Sequence, residues 1–356
     1  MRTKKNGLAW LMDLLIPLVA LAVLVLFNLI RDPEFFRVTI EWSEGNPRLD
    51  GNLISIIDSA SELAIIAMGM TLVTASCGGQ DISVGTVGAI AGAIFVQTLV
   101  RMGPISVLTV IGALLVCCLG TILFKLFNGT LVAVFKIQPM IATLVLYSCG
   151  RDIGYMINGS ATEELASPVI KAIGIRIPGV PVSTPFLLVV LVGLLLFLFF
   201  RLTNIRLYTQ AVGVNQGAAR LNGIQPTLIK LLSFVILGIC VAVAAVIGVA
   251  RMGTLTPKTL LADIEMDAIL AVAIGGNSLG GGKFRLSGSV LGAYIIQMLT
   301  TTLQNMGVGS EHIRAYKAIA IIIIVTAGSP VIKSWFTAMK NRRSASADAA
   351  SLKGVG

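Results

Sequence analysis

Charged residues are scarce in this sequence, and that scarcity determines its class. Asp, Glu, Lys and Arg make up 12% of the 356 residues, whereas 56% are hydrophobic, and the mean hydropathy is +0.91. A water-soluble globule of this size needs a larger polar surface. Apolar runs of about 17 to 25 residues, long enough to cross a bilayer as a helix, also recur along the chain. The sequence therefore predicts an all-α polytopic membrane protein.

The residues of most catalytic and metal sites are also lacking. His312 is the single histidine, which excludes a histidine pair or a histidine-based triad within one chain. The five cysteines form no CxxC motif, so we interpret them as small core residues. Gly282 and Lys283 resemble the end of a phosphate-binding loop, but Phe284 stands where that loop needs Ser or Thr. We expect no catalytic residue, metal, cofactor or ATP site, and hence a chain that is not an enzyme.

Ten apolar segments are candidates for membrane helices. They cover residues 12–30, 53–76, 84–100, 104–124, 131–157, 184–200, 227–250, 263–280, 286–306 and 313–333. With both termini in the cytoplasm, 16 of the 27 Lys and Arg residues, Lys125 among them, lie on the inner side, as the positive-inside rule favours. The basic residues separate the apolar segments and form no single patch, so the net charge of +10 does not indicate nucleic-acid binding.

This topology divides the chain into a transmembrane domain and a tail. Residues 1–333 form the membrane domain, with outer loops at 31–52 and 158–183 that are long enough to be structured and to contact an extracytoplasmic partner. Residues 201–230 form the longest cytoplasmic loop. Residues 334–356 are rich in Ser and Ala with scattered charge and are expected to be disordered.

Two glycine-rich segments interrupt the hydrophobic pattern. They are Gly78–Gly85 and Gly275–Gly282, and they begin 197 residues apart. In transporters, broken helices in corresponding positions of two repeats mark a translocation path. This spacing is compatible with two parallel repeats. The alternative is that both segments are tight cytoplasmic turns whose glycines serve helix packing.

Several polar residues in and near these breaks are candidates for the substrate path. They are Asp81, Ser83, Asn128, Gln138, Thr143, Asn277 and Ser278. A carboxylate near the bilayer centre costs about 2.5 to 3.5 kcal/mol on insertion scales, so Asp81 should cap a helix or face a cavity. Helix capping is an equally suitable role for Asp81, Ser83 and Asn277. If the path role holds, Asp81→Ala should impair transport more than folding.

Residues 211–224 are expected to form a short helix in the cytoplasmic loop. Asn215 is suited to the N-cap and Gly223 to the C-terminal stop. The small residues between them would fit a groove on a soluble partner. The alternative is an amphipathic turn that lies on the lipid headgroups.

Four elements resemble motifs of one family, the permeases of ribose-type monosaccharide ABC importers, which are branched-chain-type permeases. Gly78–Gly85 resembles GGIDLSVG, and Asn128–Leu144 resembles NG followed by IxPxIATL. Gly213–Gly223 is similar to GxNxxAAxxxG, and Met266–Leu279 is similar to LDAIAAVxIGGxSL. The elements occur in the family's order, and the galactofuranose-type permeases are the most similar subgroup.

The resemblance implies a function and a set of partners. It implies ten helices in the bacterial inner membrane, a second permease subunit, a cytoplasmic ABC ATPase and an extracytoplasmic sugar-binding protein. The family's cytoplasmic loop lies near the ATPase, which implies docking roles for Gly213, Asn215, Ala218, Ala219 and Gly223. Gln80 and Asn277 depart from the family pattern, so the sugar stays open, and related permeases carry nucleosides. An ion-coupled carrier is the alternative from another class, with Asp81 and Asp267 as its intramembrane carboxylates.

Overall fold

The computed structural model describes residues 15–43, 46–159, 164–165, 167–177 and 179–328. Lys4, Lys5, Lys333 and the predicted tail 334–356 lie outside the described residues. Residues up to Thr302 form one compact unit, and a second unit begins at Leu303.

The described parts contain fourteen helices. In the first half of the chain these are α1 (Leu15–Arg31), α2 (Asn52–Ser59), α3 (Ser61–Cys77), α4 (Val84–Met102), α5 (Val107–Ala133), α6 (Pro139–Asn158) and α7 (Pro168–Gly174). In the second half they are α8 (Thr184–Leu202), α9 (Ile205–Val214), α10 (Gln216–Leu221), α11 (Pro226–Met252), α12 (Ile264–Ile274), α13 (Leu286–Asn305) and α14 (Ser310–Gly328).

Five of the described helices are long and apolar enough to cross a membrane: α4, α5, α8, α11 and α13. Helices α2 and α3 would form a sixth span if they are taken together across their 41° bend. These helices confirm a helical, multi-pass membrane protein. The count of ten spans stays a prediction.

Helices α3 and α11 form the centre of the first unit, where α3 packs against α11 and α11 packs against α5. Every residue of α3 from Ser61 to Ser76 is buried. A helix that is apolar on all sides needs a nonpolar environment on all sides, and protein provides it for α3. By contrast, only three residues of α8 are buried and about half are exposed, as expected of a helix that faces lipid on one side.

The helix boundaries differ from the expected spans around residue 130. Helix α5 starts at a capping box formed by Ser106 and Thr109 and continues to Ala133, nine residues past the expected end of its span at 124. Helix α6 begins with Pro139 at its first turn and not at residue 131. Lys125, assigned from the sequence to a cytoplasmic loop, is therefore inside a helix.

Both predicted outer loops contain structure. Residues 31–52 include an antiparallel hairpin of β1 (Thr39–Ser43) and β2 (Asn46–Asp50), in which Thr39 pairs with Asp50. Residues 158–183 include the short helix α7. The hairpin is a small exception to the all-α expectation.

Candidate functional site

The first glycine-rich break connects α3 to α4 and holds a buried carboxylate. Gly78 ends α3 in the left-handed conformation, with φ of 64°, which glycine adopts without strain. Asp81 follows, and its side chain is fully buried. Its Oδ1 accepts hydrogen bonds from the Ser83 backbone N–H at 2.8 Å and from the Ser83 hydroxyl at 2.7 Å. Asp81 thus fixes the turn that leads into α4.

Lys125 of α5 provides the opposite charge. Its Nζ lies 2.8 Å from Asp81 Oδ2, and neither side chain is exposed. The same Nζ donates to the Ser83 hydroxyl at 3.0 Å. The sequence interpretation missed this pair, because a single lysine at the end of an apolar run resembles a loop charge. The Asn128-Gly129 dipeptide that follows Lys125 is itself a common turn signal, so no local signal indicated that Lys125 lies inside a helix.

Two more of the predicted path residues join this network. Asn128 Nδ2 donates to the Ser83 hydroxyl at 2.9 Å, and the Thr143 hydroxyl accepts from the Ile82 backbone N–H at 3.2 Å. Both side chains are fully buried. The network therefore connects the break to α5 and α6. All of its members are buried, and Asn128 Oδ1 has no hydrogen-bond partner among the described residues.

The second break is organised by Asn277. Its Nδ2 donates to the Ser289 hydroxyl at 2.8 Å, and its Oδ1 accepts from the Arg285 backbone N–H at 2.7 Å. The amide therefore bridges the break to the start of α13, in agreement with the capping interpretation. Ser278 is half-buried beside it, whereas Gln138, predicted with it, is exposed and makes no cap bond at the start of α6.

The two breaks contact each other. Gln80 Nε2 of the first donates to the Leu279 carbonyl of the second at 3.0 Å. The Gly282 N–H donates to the Ala75 carbonyl at the end of α3, also at 3.0 Å. Segments about 200 residues apart in the sequence thus form one junction.

Helix α9, part of the predicted docking loop, packs onto this junction at Gly213. A Cβ atom at position 213 would collide with the Ala75 carbonyl oxygen and would lie 2.6 Å from the Gly282 nitrogen. Only glycine fits this approach without a shift of backbone. Gly213, expected to contact a partner protein, therefore contacts the end of α3 and the second break.

The short helix α10 lies between the predicted cap residues Asn215 and Gly223, whereas residues 211–214 belong to α9. The Asn215 side chain accepts from the Ala218 backbone N–H at 3.0 Å, which confirms the N-cap, and Gly223 ends the turn with φ of 76°. Ala218 is exposed, but Ala219 is buried beside Val212 and Ile229. The exposed surface of this loop instead includes Val214, which is 76% exposed, and Leu221, which is 91% exposed. This assignment corrects the expectation that Ala219 faces outward.

The described residues include no group of three or more His, Cys, Asp or Glu side chains that could hold a metal ion. The site consists of buried polar groups that fix two helix breaks, next to a loop with exposed apolar side chains. This geometry is suited to a region in which the helices on either side of the two breaks change position relative to each other.

Comparison with known proteins places this chain in a family. The family described as branched-chain amino acid transport system, permease component, matches residues 52–328. The galactofuranose transporter permease protein of Escherichia coli K12 is 36% identical over 330 residues, which cover 91% of this chain and 92% of that protein. The fructose import permease protein of Bifidobacterium longum is 34% identical, with 93% and 92% covered.

The ribose import permease protein of Escherichia coli K12 is 34% identical over 325 residues, with 89% of this chain and 94% of that protein covered. No solved structure is a significant match. The match to residues 52–328 contains both breaks and the loop between α8 and α11, so the family covers the whole described junction. The chain belongs to the branched-chain amino acid transport system permease family, whose members are transport components and not enzymes.

Proposed function

We propose that this chain is the permease subunit of a binding-protein-dependent ABC importer that moves a monosaccharide across the bacterial cytoplasmic membrane. The names of its relatives support this proposal, because they denote permeases for galactofuranose, fructose and ribose. The partners would be a cytoplasmic ABC ATPase, an extracytoplasmic sugar-binding protein and a second permease subunit, identical or similar to this one.

The structural observation that carries the proposal is a polar surface on α6 at membrane depth. Helix α6 runs in parallel with the candidate span α4: the Thr86 hydroxyl donates to the Leu146 carbonyl at 3.0 Å, and Gln97 Nε2 donates to the Asn158 carbonyl at 3.0 Å. These contacts lie about 12 residues, or roughly 18 Å, apart along α6. The intervening part of α6 is therefore at the depth of α4.

The opposite side of α6 is exposed between these contacts, and four of its five exposed residues are polar, the fifth being Met156. Ser148 and Asp152 are exposed, and Tyr147 and Tyr155 are 36% and 41% exposed. The side chain of Asp152 forms no hydrogen bond or ion pair with another described residue. An uncompensated carboxylate facing lipid costs about 2.5 to 3.5 kcal/mol, so this side is better suited to water. Hydroxyl, carboxylate and aromatic groups are those that bind sugars.

A non-helical segment extends this polar surface. The Arg151 guanidinium donates to the carbonyls of Pro257 and Lys258 at 2.7 and 3.0 Å, which attaches residues 253–263 to α6. Leu261 of this segment packs against α4 and has a positive φ of 49°. Irregular backbone at membrane depth is tolerated where protein covers it or where it lines water. A water-filled passage beside α6 would allow the irregular backbone of residues 253–263 to lie at this depth.

We place the predicted path residues at the gate of this passage. Asp81, Ser83, Asn128 and Thr143 hold the first break, and Asn277 holds the second. In the alternating-access cycle, the breaks would move and open the passage to one side at a time. Gln138 and Ser278 are accessible enough to contact the sugar directly.

The loop 201–230 would connect the passage to the ATPase. Val214, Ala218 and Leu221 form its exposed apolar surface, and Gly213 contacts the end of α3 and the second break behind it. Asn215 and Gly223 set the bounds of α10, and Ala219 supports the loop from inside. ATP-driven closure of the ATPase would thus reach the gate through one helix.

The topology of ten spans with both termini in the cytoplasm completes the proposal. Cysteine labelling at Ala345→Cys in intact cells with a membrane-impermeant maleimide tests it, because a cytoplasmic position should label only after permeabilisation. Rapid labelling from outside would contradict this orientation. The same experiment at an outer-loop position, Lys171→Cys, serves as the control.

Uptake tests the function directly. We expect the chain, reconstituted with its ATPase and binding protein, to import one of radiolabelled ribose, fructose or galactose in an ATP-dependent and saturable manner. Import of uridine alone would identify the nucleoside transporter of the same family. Uptake driven by an ion gradient without the ATPase would identify a secondary carrier and refute the proposal.

A further inference from the structure

A cavity at the end of α8 combines basic and apolar walls. Its volume is about 1130 Å³. Four cationic side chains line it: Arg201 in the last turn of α8, Arg206 in the first turn of α9, and Lys283 and Arg285 just before α13. The other wall consists mostly of apolar side chains, among them Phe197, Val290 and Leu291. The cavity therefore has one charged side and one side suited to hydrocarbon.

The position of the cavity follows from its walls. Helices α8 and α13 are both candidate membrane spans, and Arg201 and Arg285 lie at their ends. A basic residue at the end of a span is at the level of the lipid headgroups. Phe197 and Val290 lie about one turn further into their spans. The basic wall is thus at headgroup depth and the apolar wall at acyl-chain depth.

Within the described residues, three of these four cations lack an opposite charge in the cavity. No carboxylate is among its described lining residues, and none of the described ion pairs includes Arg201, Arg206 or Lys283. Aromatic packing positions one of them, Arg206. Phe200 and Phe284 meet edge to face at 5.0 Å, and the Arg206 guanidinium lies 6.0 Å from the Phe284 ring. Clustered cations around a cavity repel each other unless an anion occupies it.

We propose that this cavity binds an anionic phospholipid, with the phosphate between the cations and an acyl chain against Phe197, Val290 and Leu291. Arg and Lys are the residues that bind phosphate groups, and basic pockets between membrane helices select anionic headgroups. The apolar wall favours a lipid over a free phosphate ion. The site lies beside α9, which contacts the end of α3 and the second break, so lipid binding at this point would stabilise the junction.

Native mass spectrometry of the purified chain tests the proposal. The two probes are dioleoyl phosphatidylglycerol and dioleoyl phosphatidylcholine, which have identical acyl chains. We expect the anionic lipid to bind at least about five-fold more tightly, and Lys283→Gln to weaken it by about five-fold, the effect of one basic residue near a membrane surface. Arg201→Gln should do the same and provides a second variant. Arg220→Gln, an exposed cation outside the cavity, should leave binding unchanged.

Three outcomes would overturn the proposal. Equal binding of the two lipids would show that the basic wall does not select a headgroup. Equal binding of glycerophosphoglycerol, which has no acyl chains, would show a water-exposed anion site. If Lys283→Gln and Arg201→Gln left lipid binding intact but weakened co-purification of the ATPase, the cations would belong to the partner interface.

Discussion

The buried pair of Lys125 and Asp81 allows a quantitative prediction. Lys125→Met keeps the length of the side chain but removes the 2.8 Å contact with Asp81 Oδ2 and the 3.0 Å hydrogen bond to the Ser83 hydroxyl. Asp81 then stays buried as a charge with one unpaired oxygen. Removing one partner of a buried ion pair typically costs about 3 to 5 kcal/mol. We therefore expect Lys125→Met to destabilise the fold strongly.

A double variant separates the pair from the rest of the network. Asp81→Asn retains an acceptor for the Ser83 N–H and removes the charge, so Asp81→Asn combined with Lys125→Met should be more stable than Lys125→Met alone. Thermal unfolding in detergent is the assay. A loss of 3 to 5 kcal/mol corresponds to a decrease of at least about 5 °C in Tm. Lys171→Met, at an exposed position, is the control and should melt like the wild type.

The reasoning is refuted if Lys125→Met melts together with the control, or if the double variant melts below Lys125→Met. The same pair changes the expectation for Asp81→Ala. Because that variant would leave Lys125 buried and unpaired, it should reduce both folding and transport. The sequence alone had suggested that transport would fall first.

Two further predictions concern the loop that contains α9 and α10. Ala218→Glu, at an exposed position, should leave Tm unchanged and reduce co-purification with the ATPase. Ala219→Glu, at a buried position, should lower Tm, because it places a carboxylate against Val212 and Ile229. Equal Tm values for the two variants would contradict the assigned burial. Gly213→Ala should lower both Tm and sugar uptake, because the added methyl group would collide with the Ala75 carbonyl. Gly217→Ala, at an exposed helical position, is the matched control. Unchanged uptake in Gly213→Ala would show that the contact is unimportant.

Local sequence signals predicted the breaks and α10 well. Glycine clusters mark backbone that leaves the helix, and α3 and α12 end where the two clusters begin, although the expected span 263–280 extended six residues past the end of α12 at Ile274. Asn215 and Gly223 provided cap signals within one short segment, so no information from distant residues was needed. Elements of this kind are determined by their own residues.

The buried contacts were not predictable in the same way. Lys125 and Asp81 lie 44 residues apart, and a lysine is more often a surface charge than the partner of a buried carboxylate. The burial of Ala219 depends on Ile229 in another helix. The ion pair and the burial of Ala219 both result from tertiary packing. A single sequence does not show which distant residues come into contact.

The approach of α9 to the breaks has a mechanical consequence. At Gly213 the contact is between main-chain atoms, with Ala75 on one side and Gly282 on the other. Side chains in contact can adjust to a displacement by changing rotamer, but main-chain atoms in contact cannot adjust in this way. The three segments can therefore shift only as one rigid piece, or else separate. A rigid contact of this kind couples the movement of α9 to that of its neighbours, and it also makes Gly213 and Gly282 intolerant of added bulk.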